Sequence, residues 1–371
     1  MNPLVVLGAT GSIGRQTLDV AERLDIPVVG LAARHLGPEL LEVSARFPDA
    51  AVAVAEAPDV PPGSNVEVGP DAIAAAAARS GVTVVNGVVG AAGLRASLAA
   101  LEAGNRLALA NKESLVAAGP LILAALHRYG GELIPVDSEH SALHQCLAGE
   151  QLDNVRRLVL TASGGPFRGR TAKDLSTVTP EQALAHPTWN MGNRITIDSA
   201  TLLNKGLEVI EAHHLFGVPY DRIDVVVHPQ SIVHSLVEFV DGSLKAHVGE
   251  PDMRVPIQYA ISYPDRAPGV LDEFELAGRS LTFEPPDRAT FRALDLAYAA
   301  GRSGGTAPAV LNAADEVAVA AFLTGRIGFL DIAGVIEATI ERHRWREVTS
   351  VDVVLEADAE ARELATEVVS R

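Results

Sequence analysis

The sequence contains a single cysteine, Cys146, so no disulfide can form within the chain and a cysteine-rich zinc site is excluded. Positive charge is also scarce: 30 Lys and Arg residues stand against 47 Asp and Glu residues, which gives a net charge of −17. This balance argues against a nucleic-acid-binding surface, because such a surface needs clustered cations. Phosphate groups, if any are bound, must therefore be held by a few local cations and by backbone N–H groups.

Long hydrophobic runs are missing as well. The most apolar stretch after the N-terminal region, residues 115–126, is interrupted by Gly119-Pro120 and is too short to span a bilayer. The chain begins Met1-Asn2-Pro3 and continues directly into an apolar strand, without the basic and long apolar regions of a signal peptide. We therefore expect a cytoplasmic protein.

The first part of the chain, residues 1–137, alternates short apolar runs with alanine-rich runs. The apolar runs predict strands at 4–7, 28–32, 82–85, 107–110 and 133–136, and the runs between them predict helices such as 13–24 and 91–103. Prolines at 58–62 and Gly69-Pro70 indicate surface loops. Apolar strands alternating with helices are typical of an α/β fold with a doubly wound parallel sheet. We predict a nucleotide-binding domain over residues 1–137.

The pattern changes after residue 137. Strands of a mixed sheet are predicted at 155–161, 223–227, 234–239 and 244–248, and Asp241-Gly242 predicts a hairpin between the last two. Residues 166–195 are rich in Pro and Thr and predict a long irregular loop. We predict a central α/β catalytic domain over 138–265, which includes a lid at 163–195, then a connector over 266–300. A C-terminal helical domain over 301–371 would contain helices at 307–323, 332–342 and 356–369.

A glycine-rich turn, Gly8-Ala9-Thr10-Gly11-Ser12-Ile13-Gly14, follows the first predicted strand and opens the first predicted helix. Glycines there allow a tight turn and let a pyrophosphate approach the helix N-terminus. The GxxGxxG spacing is common in NADP-using reductases; a tight turn without a ligand is the alternative. The second strand ends in Ala33-Arg34-His35, where an NAD enzyme would place a carboxylate for the ribose hydroxyl. Arg34 favours the 2′-phosphate of NADP, although a solvated arginine has the same sequence pattern.

Two polar tripeptides, Asn111-Lys112-Glu113 and Asp137-Ser138-Glu139, each follow an apolar strand. Ligand sites of parallel sheets lie at the carboxyl ends of the strands, so both tripeptides should lie near the cofactor. Asp137 and Glu139 are hard oxygen ligands, and a divalent cation would relieve the repulsion between two close carboxylates. Solvated loop carboxylates are the alternative.

A further polar group lies within residues 198–208. If this segment is helical, Asn204, Lys205 and Glu208 share one face and could offer an amide, an ammonium and a carboxylate to one ligand. An exposed, salt-bridged helix face is the alternative. Gly206 inside that helix is unfavourable and indicates close packing or ligand approach.

Two segments have the character of anion or substrate sites. Ser163-Gly164-Gly165 follows a predicted strand and offers a hydroxyl and unhindered N–H groups, which suits a phosphate. Residues 186–192 combine a histidine, Trp189, Met191 and a glycine, which suits a lid that closes over substrate. A surface-packed tryptophan would give the same pattern.

The motifs together resemble one family, the 1-deoxy-D-xylulose 5-phosphate reductoisomerases of the non-mevalonate isoprenoid pathway. They occur in order over essentially the whole chain: residues 8–14, 110–114, 135–140, 163–167, 186–192, 198–208, His228-Pro229-Gln230-Ser231 and 249–254. The resemblance implies a Rossmann-like N-terminal domain, a central catalytic α/β domain, a C-terminal helical bundle and a homodimer. It also implies NADPH as cofactor and Mg²⁺ or Mn²⁺ as metal. The net charge and the short hydrophobic runs lead us to expect no nucleic-acid or membrane partner.

The resemblance also implies roles for individual residues. Cofactor-binding residues would be Thr10, Gly11, Ser12, Ile13, Asn111, Glu113 and Gly192, with Ala33, Arg34 and His35 at the 2′-phosphate. The metal ligands would be Asp137, Glu139 and Glu208, and the catalytic residues Lys112 and Glu139. Substrate-binding residues would be Lys112, Ser138, Glu139, Ser163, His186, Ser199, Asn204, Lys205 and Glu208. Trp189 and Met191 would belong to the lid, and Met253 would lie near the active site.

The implied reaction is a rearrangement of the substrate by carbon–carbon cleavage and re-addition, followed by reduction with NADPH to 2-C-methyl-D-erythritol 4-phosphate. The chain departs from the family pattern at two places. Ala33-Arg34-His35 stands where Gly-Lys-Asn is usual, and Asn193-Arg194 replaces a more usual basic pattern after Met191-Gly192 of the lid. Two alternatives stay open. A semialdehyde dehydrogenase-like NADP reductase would need Cys146 as nucleophile, and a non-catalytic NADP-binding sensor would need neither metal ligands nor a lid.

Overall fold

The computed structural model describes residues 1–57, 66–90, 92–189 and 191–371. The predicted loop at 58–62, the first residue of the helix predicted at 91–103, and Asn190 of the lid lie outside the described residues. The chain forms two compact units. The first contains residues 1–114, 120–141 and 252–273, and the second contains residues 115–119, 142–251 and 274–371. These units divide the chain differently from the predicted boundaries at 137 and 265, because residues 252–273 pack within the first unit.

The first unit is built on a parallel sheet, as predicted, and this sheet has seven strands among the described residues, whereas the sequence predicted five. Its strands are β1 (Leu4–Leu7), β2 (Val28–His35), β3 (Ala51–Glu56), β4 (Val66–Val68), β5 (Thr83–Asn86), β6 (Arg106–Leu109) and β7 (Glu132–Pro135). They lie in the order β4-β3-β2-β1-β5-β6-β7, so the order reverses between β1 and β5. β3 and β4 were not predicted, because β3 is half alanine, a weak strand former, and β4 is only three residues long.

The second unit contains a four-stranded mixed sheet, as predicted. Its strands are β8 (Val155–Ala162), β9 (Ile223–Val227), β10 (Val233–Phe239) and β11 (Leu244–Val248), in the order β11-β10-β8-β9. β8 and β9 are parallel, whereas β10 is antiparallel to both β8 and β11. The predicted hairpin between β10 and β11 is confirmed, and Gly242 in its turn has a φ of 86°. Glycine accepts this conformation without steric strain.

The described residues form helices whose bounds are α1 (Ser12–Arg23), α2 (Pro38–Arg46), α3 (Ala72–Ala77), α4 (Ala92–Glu102), α5 (Lys112–Tyr129), α6 (Ser138–Leu147), α7 (Ala172–Leu175), α8 (Pro180–Leu184), α9 (Asn193–Thr201), α10 (Leu203–Phe216), α11 (Arg254–Ser262), α12 (Ala293–Ser303), α13 (Ala307–Leu323), α14 (Asp331–Arg342) and α15 (Val351–Val369). The three predicted C-terminal helices are confirmed as α13, α14 and α15. None of these helices is both long and apolar enough to cross a membrane.

Each unit has its own apolar core. In the first, β1 is completely buried, and Ile257 and Ile261 of α11 join the core that contains Leu18 of α1. Arg254 at the start of α11 also pairs with Asp19 of α1 at 3.3 Å. These contacts explain why residues 252–273 belong to the first unit.

The prediction of one long irregular loop over 166–195 is wrong in part. Helices α7 and α8 lie within it, and α9 begins at Asn193. The residues that suggested a loop in fact start helices: the Thr179 hydroxyl accepts a hydrogen bond from the N–H of Gln182, and Pro180 occupies the first turn of α8. The predicted connector at 266–300 is helical at its end, because α12 begins at Ala293.

Candidate active site

The glycine-rich turn joins β1 to α1 at the carboxyl edge of the parallel sheet. Gly8 has a φ of 77°, and a Cβ there would lie 2.7 Å from the carbonyl oxygen of Gly87. A Cβ at Gly14 would lie 2.2 Å from the carbonyl oxygen of Gly8. Only glycine fits these two positions, so the turn can bring the N-terminus of α1 close to a ligand. Gly11 and Ser12 are exposed there, while Thr10 and Ile13 are half-buried.

The turn lies where the strand order of the sheet reverses. Gly87 follows β5, the neighbour of β1 on the far side of that reversal. A Cβ at Gly87 would lie 3.1 Å from the side chain of Ile13, so the loop after β5 packs closely against the turn. Crevices at such reversal points are where open parallel α/β sheets bind ligands.

Asn111 and Glu113 organise the loop after β5. The Asn111 amide donates to the carbonyl oxygens of Val88 and Gly90 at 2.8 and 3.0 Å, and to the Glu113 carboxylate at 2.8 Å. Glu113 accepts a hydrogen bond from the Gly90 N–H at 3.1 Å. Both side chains are buried. The two residues predicted to lie near the cofactor therefore hold in place the loop that packs against the glycine-rich turn.

At the end of β2, the three residues predicted to meet the 2′-phosphate differ in exposure. Ala33 is buried, whereas Arg34 and His35 are exposed. The Arg34 guanidinium lies 3.2 Å from the Glu56 carboxylate at the end of β3, and His35 lies 3.6 Å from the same carboxylate. The end of β2 therefore does have a carboxylate beside it, that of Glu56 on the neighbouring strand β3. Sequence reasoning missed it because β3 was not predicted.

The first catalytic candidate, Lys112, pairs with Asp137. The Lys112 ammonium donates to Asp137 at 2.7 Å, and the two side chains are only 11% and 16% exposed. Burial by itself would raise the pKa of Asp137, but the Lys112 ammonium and the neighbouring His140 hold that pKa well below its usual range. His140 is completely buried, with a ring nitrogen 3.9 Å from Asp137. Asp137 is therefore an anion at neutral pH.

Ser138 and Glu139 begin α6 directly after Asp137. The Ser138 hydroxyl donates to the Glu139 carboxylate at 2.7 Å. Oxygens of Asp137 and Glu139 lie within 4.8 Å of each other, close enough to share one cation. Two half-buried carboxylates at this spacing fit the oxygen-rich coordination that Mg²⁺ and Mn²⁺ prefer.

In the second unit, α10 presents Asn204, Lys205 and Glu208 together, as predicted. The Asn204 amide donates to one Glu208 oxygen at 2.6 Å, and the Lys205 ammonium donates to the other. Lys205 and Glu208 are both buried. The face is therefore not an exposed, solvated salt bridge. The segment 198–208 is not one helix, however, because Leu202 has a φ of 61° and separates α9 from α10.

Gly206 is explained by packing. A Cβ on this residue would lie 2.4 Å from the Cβ of Ala297 on α12. The glycine thus lets α10 and α12 approach closely, which decides between the two explanations that the sequence left open. Ser199, predicted at the substrate phosphate, lies near the end of α9, half-buried.

Ser163 and His186 form a hydrogen-bonded pair, with 2.9 Å between the Ser163 Oγ and the His186 Nε2. The other ring nitrogen, Nδ1, accepts the backbone N–H groups of Thr188 and Trp189 at 3.1 and 2.9 Å. Nδ1 therefore carries no proton in this arrangement, and Nε2–H donates to the serine. Burial lowers the pKa of His186, so the ring is neutral at neutral pH.

The lid residues lie beside a histidine that sequence reasoning missed. The Trp189 ring packs edge-on against His234 of β10, with 6.3 Å between the ring centroids. Burial and the neighbouring His247 together lower the pKa of His234 to about 4. His234 stands in an apolar strand, so its sequence gave only a strand signal. Of the other predicted residues, Met191 is half-buried, Gly192 is exposed at the start of α9, and Met253 packs against the core of the first unit.

A largely buried ionic network anchors α9, the helix that begins after Gly192. The Arg194 guanidinium donates to Asn312 at 2.6 Å and lies 3.1 Å from Asp315 and 2.9 Å from Glu316, all on α13. It also lies 3.6 Å from Asp198 on its own helix. Burial raises the pKa of Asp315 to about 6, although Arg194 lowers it. The three partners on α13 are 118 or more positions away along the chain, so only the fold brings them to Arg194.

The thiol required by the dehydrogenase alternative lies in the core. Cys146 is buried on α6, and burial raises its pKa to about 11. A thiol with so high a pKa is a weak nucleophile at neutral pH.

Models of one family match the chain in three consecutive regions. Residues 4–119 match the 1-deoxy-D-xylulose 5-phosphate reductoisomerase model. Residues 133–216 match a model described as the 1-deoxy-D-xylulose 5-phosphate reductoisomerase C-terminal domain, and residues 248–364 match one described as the DXP reductoisomerase C-terminal domain. These three models together account for most of the chain.

Individual proteins agree with the family models. Reductoisomerases from Anaeromyxobacter dehalogenans and Chlorobium chlorochromatii are 52% and 50% identical to this chain, each over 98% of it and over 96% and 99% of their own lengths. A solved reductoisomerase from Zymomonas mobilis in complex with NADPH is 44% identical, with a TM-score of 0.91, over 99% of this chain and 98% of that one. Another, in complex with NADPH, fosmidomycin and magnesium, is 38% identical, with a TM-score of 0.93, over 100% and 98%. The α/β fold and the family resemblance predicted from the sequence are thereby confirmed, and the chain belongs to the 1-deoxy-D-xylulose 5-phosphate reductoisomerase family.

Proposed function

We propose that this protein is an NADPH- and divalent-metal-dependent enzyme that converts 1-deoxy-D-xylulose 5-phosphate to 2-C-methyl-D-erythritol 4-phosphate, a step in isoprenoid precursor synthesis. The observation that carries the proposal is the largely buried Lys112–Asp137 pair beside Glu139, at the same sheet edge as the glycine-rich turn. A proton donor and two metal-ligand oxygens beside a nucleotide site suit a reduction that follows a rearrangement.

NADPH is the proposed cofactor, bound at residues 10–13 with its 2′-phosphate toward Arg34. The geometry at Gly8 and Gly14 supports this, because both positions admit only glycine and leave the N-terminus of α1 accessible to a pyrophosphate. NADPH supplies the hydride for the reduction. Asn111 and Glu113 maintain the loop that packs against this turn, so their role is to shape the cofactor site.

The proposed metal ligands are Asp137, Glu139 and Glu208. The carboxylate set fits Mg²⁺ or Mn²⁺, since hard cations take oxygen ligands and the pKa of Asp137 is already low. When bound, the cation supplies stabilisation of the negative charge that develops on the substrate oxygens.

The chain's own residues then bind, orient and protect the substrate. Lys112, the cation nearest Asp137, holds a proton at its Nζ for transfer to the reacting oxygens. Ser138 and Glu139 orient the same end. The substrate phosphate is proposed to be bound by Ser163, His186, Ser199, Asn204 and Lys205. Trp189 and Met191 close over the substrate and exclude water. The cytoplasmic location and the homodimer implied by the resemblance are also part of this proposal.

The test is NADPH oxidation with 1-deoxy-D-xylulose 5-phosphate, measured by loss of NADPH absorbance with Mg²⁺, with Mn²⁺ and with a chelator. We expect oxidation that depends on both the substrate and the metal. Folded, NADPH-binding protein that oxidises no NADPH with either metal would contradict the proposal. Oxidation that persists in the chelator would instead favour a metal-independent reductase.

A further inference from the structure

A carboxylate lies beside the end of β2, although binding of the 2′-phosphate of NADPH does not require one. Arg34 and His35, the residues proposed to meet the 2′-phosphate, both contact Glu56 at the end of β3. The distances are 3.2 Å from the Arg34 Nε and 3.6 Å from the His35 Nδ1. β2 and β3 are parallel neighbours, and His35 stands directly opposite Glu56 in their register. The sheet therefore places Glu56 beside the two residues.

This carboxylate opposes the binding of a 2′-phosphate in two ways. It occupies the guanidinium that the phosphate would use, and its own negative charge repels a second anion. The Arg34 and Glu56 side chains are 76% and 56% exposed, so the pair is weak and Arg34 can exchange it for a ligand. Conversely, NAD-using enzymes place a carboxylate near the adenosine ribose, where it accepts a hydrogen bond from the 2′-hydroxyl.

We propose that Glu56 is a specificity-determining residue that lowers the preference of this site for NADPH over NADH. The inference rests on the proposed function, in which NADPH binds at the glycine-rich turn with its 2′-phosphate toward Arg34. It goes further because it assigns a residue that weakens cofactor discrimination and that lies outside every motif of the family resemblance. Removing the charge of Glu56 should therefore improve the binding of NADPH.

The experiment compares Glu56→Gln with Glu22→Gln by fluorescence titration of NADPH and NADH, without substrate or metal. Glu22 is a matched control: it is a half-exposed carboxylate of the first unit, paired with Arg46 at 2.7 Å, and outside the proposed cofactor residues. Both variants remove one negative charge and one surface ion pair. We expect Glu56→Gln to tighten NADPH binding by roughly three- to tenfold. NADH binding should stay the same or weaken, and Glu22→Gln should change both affinities by less than about twofold.

The ratio of the two affinities decides the inference. A Glu56→Gln protein whose NADPH-to-NADH ratio equals that of Glu22→Gln overturns it, and so does equal tightening of both cofactors. Arg34→Gln should move the ratio the opposite way, which confirms that the titration reports the 2′-phosphate. If the wild-type protein binds neither cofactor, the proposed function itself fails, and the inference fails with it. If the wild-type protein binds NADPH but Glu56→Gln does not tighten that binding, the inference is rejected and the proposed function stands.

Discussion

The two units each contain a lysine–carboxylate pair that is largely or fully buried, and the pairs are built differently. Lys112 and Asp137 come from the ends of neighbouring parallel strands, 25 positions apart, and their atoms are 2.7 Å apart. Lys205 and Glu208 are three positions apart on the single helix α10. The first pair exists because β6 and β7 are adjacent in the sheet. The second exists because a helix places such positions on one face.

Both pairs indicate how the carboxylates of a metal site are stabilised before the cation binds. Isolated buried carboxylates are costly, because burial removes the water that stabilises their charge. Two of the three proposed metal ligands, Asp137 and Glu208, have a lysine inside their own unit as compensation. We expect the two lysines to have separate tasks in catalysis, Lys112 at the reacting oxygens and Lys205 at the phosphate.

The largest expected effect comes from breaking the helical pair at its carboxylate. Glu208→Gln keeps the shape but removes one negative ligand, and should lower kcat by about a thousandfold, because a metal Lewis acid contributes several kcal/mol. Steady-state kinetics at saturating Mg²⁺ measure the loss, and NADPH binding should be nearly unchanged. Glu341→Gln, at an exposed position of α14, is the control. Unchanged turnover in Glu208→Gln would remove Glu208 from the metal site.

The comparison is sharpest when the two lysines are replaced in parallel. Lys112→Gln should lower kcat by roughly a hundredfold or more with little change in KM, because proton transfer acts in the transition state. Lys205→Gln should instead raise KM by roughly tenfold or more, because it loses a charge-assisted contact to the phosphate. Kinetics with varied substrate at saturating NADPH separate the two patterns. If both variants change kcat and KM in the same way, the two lysines do not have separate roles.

A third cation, Arg194, extends the comparison to the base of the lid. Arg194→Gln should lower kcat/KM by about tenfold, because α9, which carries Ser199, loses its anchor on α13. Arg346→Gln is the matched control. Arg346 lies 3.4 Å from Glu356 and 2.8 Å from Glu360, both on α15, and these contacts do not involve α9. Both variants should lower the melting temperature, but only Arg194→Gln should change the kinetics. Equal kinetic effects would mean that the network stabilises the fold without positioning α9.

The carboxylate beside Arg194 predicts a pH dependence of stability. Burial raises the pKa of Asp315 from 3.8 to about 6, so the folded protein holds a proton that the unfolded chain has already released. Stability should therefore fall as pH rises from about 4 to about 6. Melting temperatures of the wild-type and Asp315→Asn proteins across this interval test the sign. The melting temperature of Asp315→Asn should lack this part of the pH dependence. If the difference in melting temperature between the two proteins is the same at every pH, the prediction is wrong.

The smallest effect is expected outside both lysine–carboxylate pairs. Cys146→Ser should retain turnover within about twofold, because the thiol is buried and its pKa is raised to about 11. The measurement is the same NADPH oxidation assay. Loss of most activity with a retained melting temperature would restore the semialdehyde dehydrogenase alternative.

Sequence reasoning identified the strands of the first unit from their apolar runs, except β3 and β4. β1, β9 and β11 have the predicted bounds, because a short apolar run between turn residues leaves little freedom. The grouping of Asn204, Lys205 and Glu208 was also predictable, since helical spacing alone places them together. The short helices α7 and α8 were missed because the threonine before each helix and the proline that starts α8 resemble loop composition. The residue roles and the domain boundaries remain predictions.

The sequence by itself determined the family, the parallel-sheet architecture and which side chains were candidates for chemistry, because these follow from local periodicity and from motifs at strand ends. Only the tertiary structure decided which candidates have buried partners. The neighbouring strand brings Glu56 to Arg34, packing against Ala297 explains Gly206, and α13 supplies the carboxylates around Arg194. Such contacts join residues tens to more than a hundred positions apart. Hydrophobic burial brings these residues together when the whole chain folds, so a short stretch of sequence cannot predict the contacts between them.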